Sequence, residues 1–163
     1  MLLITPELWQ ALWLTIKLAL ISTGLLLLIV IPLTYYLNHG RSRWWWFLEV
    51  VLTLPMVLPP TVIGFYLLIL FSPQHSIGQV WHYFFDSSLV FSFSGLVIAS
   101  IVYSLPFALQ PIQSAFKQVD VNLLEAAIAL GATPKQVFYT VIIPVGRYGI
   151  FSGALLSFAH VLG

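Results

Sequence analysis

Long apolar runs separated by short polar connections set the outline of this chain. They cover about 8–37, 45–71, 89–112 and 148–163. A span of about 20 mostly apolar residues is what a helix needs to cross the hydrocarbon layer, so the first three are long enough and the fourth stops early, at Gly163. The runs are continuously apolar, whereas a barrel strand alternates apolar and polar residues over about ten positions. The pattern predicts an all-α polytopic transmembrane bundle with three complete spans, a polar loop and the start of a fourth span. The first run has Glu7 ahead of it and Lys17 inside it, unlike a short cleavable signal with a basic start, and reads as a retained helix.

Composition agrees: 60% of the 163 residues are hydrophobic and 7% charged, too little polar surface for a soluble domain. There is no cysteine, hence no disulfide framework and no thiolate chemistry. The net charge of +1, spread over scattered basic residues, gives no nucleic-acid footprint. Their distribution is more informative. Arg41 and Arg43 follow the first run, and Lys117, Lys135 and Arg147 lie between the third and fourth, whereas the connection 72–88 has Asp86 and no basic residue. Positively charged connections stay on the cytoplasmic side, so the N-terminus and 72–88 are expected outside.

Trp9 and Trp13 near the outer start, and Trp44, Trp45 and Trp46 after the arginines, fit the headgroup layer. Lys17, about two turns into a span, either snorkels to the surface or meets an anionic substrate or partner helix. In the second run Pro55, Pro59 and Pro60 remove backbone donors, which predicts a kink or break. Freed carbonyls at that depth would turn the segment inward, where it either lines a pathway or serves packing alone. Pro55, Pro59, Pro60, Thr61 and Ser104 are the candidate path residues, with Thr53 and Ser100 as further hydroxyls that would pass an anion weakly.

The polar loop is the most informative segment. Asp120 is a candidate N-cap, with Leu123, Leu124, Ala127, Ile128 and Leu130 as an apolar stripe. Gly131 suits a helix end, and Thr133-Pro134-Lys135-Gln136 has the form of a capping box with Pro at the first helical position. Val137, Phe138, Val141 and Ile142 recur at helical spacing up to Pro144. Two short helices joined by a tight turn follow, with Glu125 and Asn122 off the stripe and free to meet a basic group on a soluble partner.

The run from Glu125-Ala126-Ala127 through Gly131 to Pro144, placed between two apolar spans, resembles the coupling (EAA) loop of ATP-driven importers. Together with 54–66 (LPMVLPPTVIGFY) and 91–95 (FSFSG), it makes nearly the whole chain similar to molybdate importer permeases of the ABC type I family. That resemblance implies one type I transmembrane domain over 8–163, incomplete at its C-terminal end, with its coupling loop at 115–144. It implies docking at Glu125, Ala126, Ala127, Gly131 and Pro144, a homodimer in the bacterial cytoplasmic (inner) membrane, a dimer of cytoplasmic ATP-binding subunits and an extracytoplasmic molybdate-binding protein. Tungstate and sulfate are similar tetrahedral anions and stand as alternatives, as does a truncated subunit that inserts without transporting.

Other classes fit less well. No Gly-rich loop ends in Gly-Lys-Ser or Gly-Lys-Thr, so ATP hydrolysis is expected on a separate chain, and no cofactor is called for. A proton-coupled secondary transporter would place carboxylates or histidines at membrane depth; here only His160 falls in a span. His75 and His82 without a third ligand make a poor zinc site, and no nucleophile, base and orienting group share a face.

Overall fold

The computed structural model describes residues 6–40 and 42–163; the expected outward placement of 1–5 and the charge of Arg41 lie outside the described residues. Regular structure among the described residues is entirely helical. The first helix, α1 (Pro6–His39), is apolar all round, yet only a stripe through Ala19, Ser22, Leu26, Val30, Thr34 and Leu37 is buried. The three- and four-residue steps place that stripe on one side, and Leu20, Leu25, Leu28 and Ile29 stay exposed on the others. A helix that buries so little of its apolar surface belongs in lipid, where packing rather than hydrophobic burial draws helices together.

The second apolar run is broken rather than kinked. It forms α2 (Arg43–Val57) and α3 (Pro60–Phe71), between which the chain turns by 113°. At about 1.5 Å per residue they are about 22 and 18 Å long, and neither alone crosses a layer about 30 Å thick; the second apolar run is a broken span of two shorter helices. Pro55 sits inside α2, so the break falls at Leu58 and Pro59, with Pro60 opening α3. Some backbone groups at the break are bonded locally: Leu58 N–H donates to Leu54 C=O at 3.2 Å, and Pro59 C=O accepts from Val62 N–H at 3.0 Å and Ile63 N–H at 3.3 Å, while Pro59 and Pro60 have no N–H to give the Pro55 and Met56 carbonyls.

Connection 72–88 is more ordered than a polar loop. It holds α4 (Ser76–Phe85), closed by Asp86 in the left-handed region at φ 46°. The third span begins four residues later and ends five later than the apolar run, as α5 (Phe93–Lys117). The Ser92 hydroxyl caps it, accepting from Gly95 N–H at 3.1 Å. Pro106 and Pro111 lie within α5.

α5 is the centre of the bundle. Asn38, near the end of α1, donates from Nδ2 to Gln113 C=O at 3.4 Å, and Lys17 near its start lies 5.4 Å from the Phe93 ring centre; α1 and α5 therefore run parallel. α2 runs against the direction of α5, with Glu49 beside Lys117 at 3.8 Å and Met56 beside Gln110 at 3.4 Å, and after the 113° turn α3 lies beside the first half of α5, Pro60 to Leu67 next to Ala99 to Tyr103. The last helix, α9 (Arg147–Leu162), is also antiparallel: Gly149 meets Ala115 and Pro111, while His160 stacks on Phe107 and Tyr103. This seam is built by Gly149, Gly153 and Ser157, all buried and four residues apart. A Cβ on Gly149 would lie 2.7 Å from Pro111 C=O and one on Gly153 2.9 Å from Ala108 C=O, so the two backbones touch directly.

Consequently the end of α1, the start of α2, the end of α5 and the start of α9 share one end of the molecule, which gathers Arg43, Lys117 and Arg147. Asp86 and α4 belong to the other.

Candidate functional site

Between α5 and α9 the chain leaves the bundle and returns as an elbow. Its first arm is α6 (Val121–Ala129). The Asp120 carboxylate caps it, accepting from Asn122 N–H and from Asn122 Nδ2, each at 2.9 Å. At the far end Gly131 takes φ +85°, Gly131 N–H donates to Ile128 C=O at 2.9 Å and Ala132 N–H reaches back to Ala127 C=O at 3.0 Å. These paired bonds form a Schellman turn, whose left-handed residue is most easily supplied by glycine.

The second arm starts at once. Thr133 Oγ1 accepts from Gln136 N–H at 3.4 Å while Gln136 Oε1 accepts from Thr133 N–H at 2.8 Å, the reciprocal capping box expected from the sequence. Helix α7 (Pro134–Val137) continues into a π turn over Phe138–Ile142 and then α8 (Ile143–Val145). The wide turn was not legible from helical spacing: Ile143 N–H donates to Phe138 C=O, five residues back, just before Pro144, which has no N–H to give. The chain then bends by 69° into α9.

The elbow is anchored on one side and bare on the other. Val137 and Ile142 are buried with Leu37, Ile112 and Phe116, and the Phe138 ring lies 5.0 Å from that of Tyr35 and 6.5 Å from that of Phe116. Of the apolar stripe expected on α6, Leu124 and Ala127 pack on this cluster, but Leu123, Ile128 and Leu130 are 50, 61 and 88% exposed. The inward face is thus narrower than the stripe. Glu125 is exposed on the outer face, flanked at helical spacing by Val121 and Ile128, both more than 60% exposed. No ion pair to Glu125 occurs among the described residues. Ala126, Gly131 and Pro144 are exposed as well, and Ala127 is half-buried. The five residues expected to dock thus lie along one elbow, with a carboxylate framed by bare apolar side chains, a surface suited to a partner offering a cation within an apolar socket.

The expected path residues are not brought together. Within this single chain Pro59, Pro60 and Thr61 are exposed and Pro55 is half-buried. Pro60 and Ser100 do share a cavity of about 230 Å³ with Ile63, Gly64, Leu67 and Tyr103. Ser104 lies elsewhere, 1% exposed, its hydroxyl without a partner. Thr53 spends its hydroxyl on its own helix, donating to Val50 C=O at 2.9 Å or Glu49 C=O at 3.1 Å. His160 packs against the rings of Tyr103 and Phe107 on α5, with Nε2 unpaired among the described residues. The Gly149-Gly153-Ser157 series escaped the sequence reading, although its four-residue spacing of small residues was the available signal.

A helical bundle with long apolar helices and a capped, partly bare elbow at its basic end has the build of a transmembrane transport subunit. The chain belongs to the binding-protein-dependent transport system inner membrane components, whose family profile matches residues 30–163. It is an integral, multi-pass inner-membrane protein of the ABC importer permease type. It is 44% identical over 153 residues to the molybdenum transport system permease protein ModB of Azotobacter vinelandii, covering 94% of this chain and 68% of that protein. It is 36% identical over 163 residues to ModB of Escherichia coli K12, covering all of this chain and 71% of the relative. A probable sulfate transport system permease of Chlorella vulgaris is 33% identical over 145 residues, 89% of this chain and 53% of that protein.

Proposed function

We propose that the chain is the permease subunit of an ATP-driven molybdate importer, working with a separate cytoplasmic ATP-binding dimer, an extracytoplasmic molybdate-binding protein and a second copy of itself. For the substrate, the observation that carries the reading is the 44% identity to a molybdenum permease over nearly the whole chain. For coupling, it is the elbow: Glu125 and its apolar frame are exposed, while Val137, Phe138 and Ile142 root the same segment among α1 and α5. A push on α6 would thus reach the bundle through a capped, rigid turn. Binding energy released as the ATPase subunits close would favour one orientation of the bundle over another, as alternating access requires.

Arg43, Lys117 and Arg147 cluster at the elbow end, which supports a cytoplasmic elbow and an outside N-terminus. The exposed Pro59–Thr61 break would then be available to a second copy, with the pathway of Pro55, Pro59, Pro60, Thr61 and Ser104 completed between copies or by helix movement. Tetrahedral selectivity would rest with the binding protein, because basic side chains are not gathered at membrane depth among the described residues.

The test is uptake of labelled molybdate in permease-deficient cells that express this chain with its ATPase and binding protein. Tungstate in excess should compete and sulfate should not. Competition by sulfate alone would transfer the assignment to a sulfate permease, the reading favoured by the 33% identical relative.

A further inference from the structure

The outer connection carries a structure that transport coupling leaves unused. Along α4, Ile77, Val80, Trp81, Phe84 and Phe85 recur on one side at helical spacing. Ile77, Val80, Phe84 and Phe85 are 48, 57, 72 and 60% exposed. Gln79 and His82 take the opposite side, and His82 Nδ1 lies 3.7 Å from the Asp86 carboxylate.

The mounting of this helix fixes its place beside α3. Gly78 is buried against the end of α3, where a Cβ would overlap the carbonyl oxygens of Phe71 and Ser72. Trp81 and Phe85, three and seven residues on, share that flank. Their rings stack at 4.1 Å, and the Trp81 indole N–H donates to Ser87 Oγ at 3.2 Å. The flank that rests on α3 therefore lies at the border between the two sides of α4, with Trp81 and His82 on either hand of Gly78.

We propose that α4 lies in the plane of the outer bilayer surface, with Val80 and Phe84 sunk at the boundary of lipid headgroups and acyl chains. Lipid is the occupant because of where α4 is held. Residues 72–75 tie it to α3, a reach of at most about 14 Å, so it stays level with the span ends. The helix beneath it also presents bare apolar side chains, Phe65 at 60% and Leu68 at 45% exposed. An aromatic-rich amphipathic helix at that level buries its apolar face in the interface. Between Arg43 and Lys117 there is no Lys or Arg, so this attachment is by burial and not by attraction to anionic headgroups.

The natural chain has no cysteine, which makes the test direct. Single variants Val80→Cys, Phe84→Cys and Gln79→Cys of the full chain are spin-labelled in phosphatidylcholine liposomes with and without phosphatidylglycerol. Labels at 80 and 84 should favour oxygen over a water-soluble nickel chelate and report a depth of about 5–10 Å; the label at 79 should do the reverse, and phosphatidylglycerol should change neither. Nickel access at 80 and 84 equal to that at 79 would place α4 in water and overturn the proposal. Shielding of 80 and 84 from both reagents would also overturn it, since protein would then cover the face. If Phe84→Cys fails to insert, the contrast between 80 and 79 still decides.

Discussion

Gly131 shows how much one backbone angle can carry. Its φ of +85° closes α6, and nothing lies within 4 Å of where a Cβ would stand, so an added methyl meets conformational cost alone. Gly131→Ala should cost about 1 kcal/mol and loosen the elbow, read as weaker co-purification of the ATPase at unchanged membrane insertion. Thr133→Ala, which removes half of the capping box, should cost about 1 kcal/mol by the same mechanism of an uncapped helix start. Glu125 is the opposite case: exposed and without an ion pair among the described residues, it should change thermal stability by less than about 0.5 kcal/mol when replaced by alanine, yet reduce molybdate-dependent ATP hydrolysis. Normal coupling in Glu125→Ala would refute the docking role. These residues were legible in the sequence because each cap has its partner within five positions. The exposure of Ile128 and Leu130 was not, since which part of an apolar stripe faces inward depends on α1 and α5, distant in sequence.

At the level of elements, proline chemistry announced the break after Pro55 but not its 113° turn or its exposure. A missing N–H says that a helix must stop; the direction of the next helix is set by what it packs on. Helix α4 was hidden because ten residues containing Ser76, Gly78, Gln79 and His82 read as a polar connection, while its amphipathic order emerges only once the period is laid on it. The α5–α9 seam was equally legible in principle, as small residues every fourth position. Gly149→Leu should drive a side chain into Ala115 and the Pro111 carbonyl and destabilise the bundle by about 1–3 kcal/mol, measured as a lowered Tm in detergent, whereas Phe151→Leu, on the exposed side of α9, should leave it unchanged.

For the whole molecule, the parallel course of α1 and α5 puts the basic connections at one end, in accord with the pattern of charges along the chain. The sidedness predicted from it is checked by single cysteines: Ser88→Cys should react with a membrane-impermeant maleimide added outside to intact cells, and Lys135→Cys only after lysis. The reverse result would invert the topology. The Glu49–Lys117 pair at this end, 3.8 Å apart and half exposed, is worth little once solvent screening is counted, so the arrangement is held by the buried stripes and not by charge. Where glycine and serine line the seam between α5 and α9, no layer of side chains separates the two backbones, and hence there is no soft padding to deform. On the proposed coupling, a load delivered at the elbow would be passed on as displacement of two stiff rods clamped together.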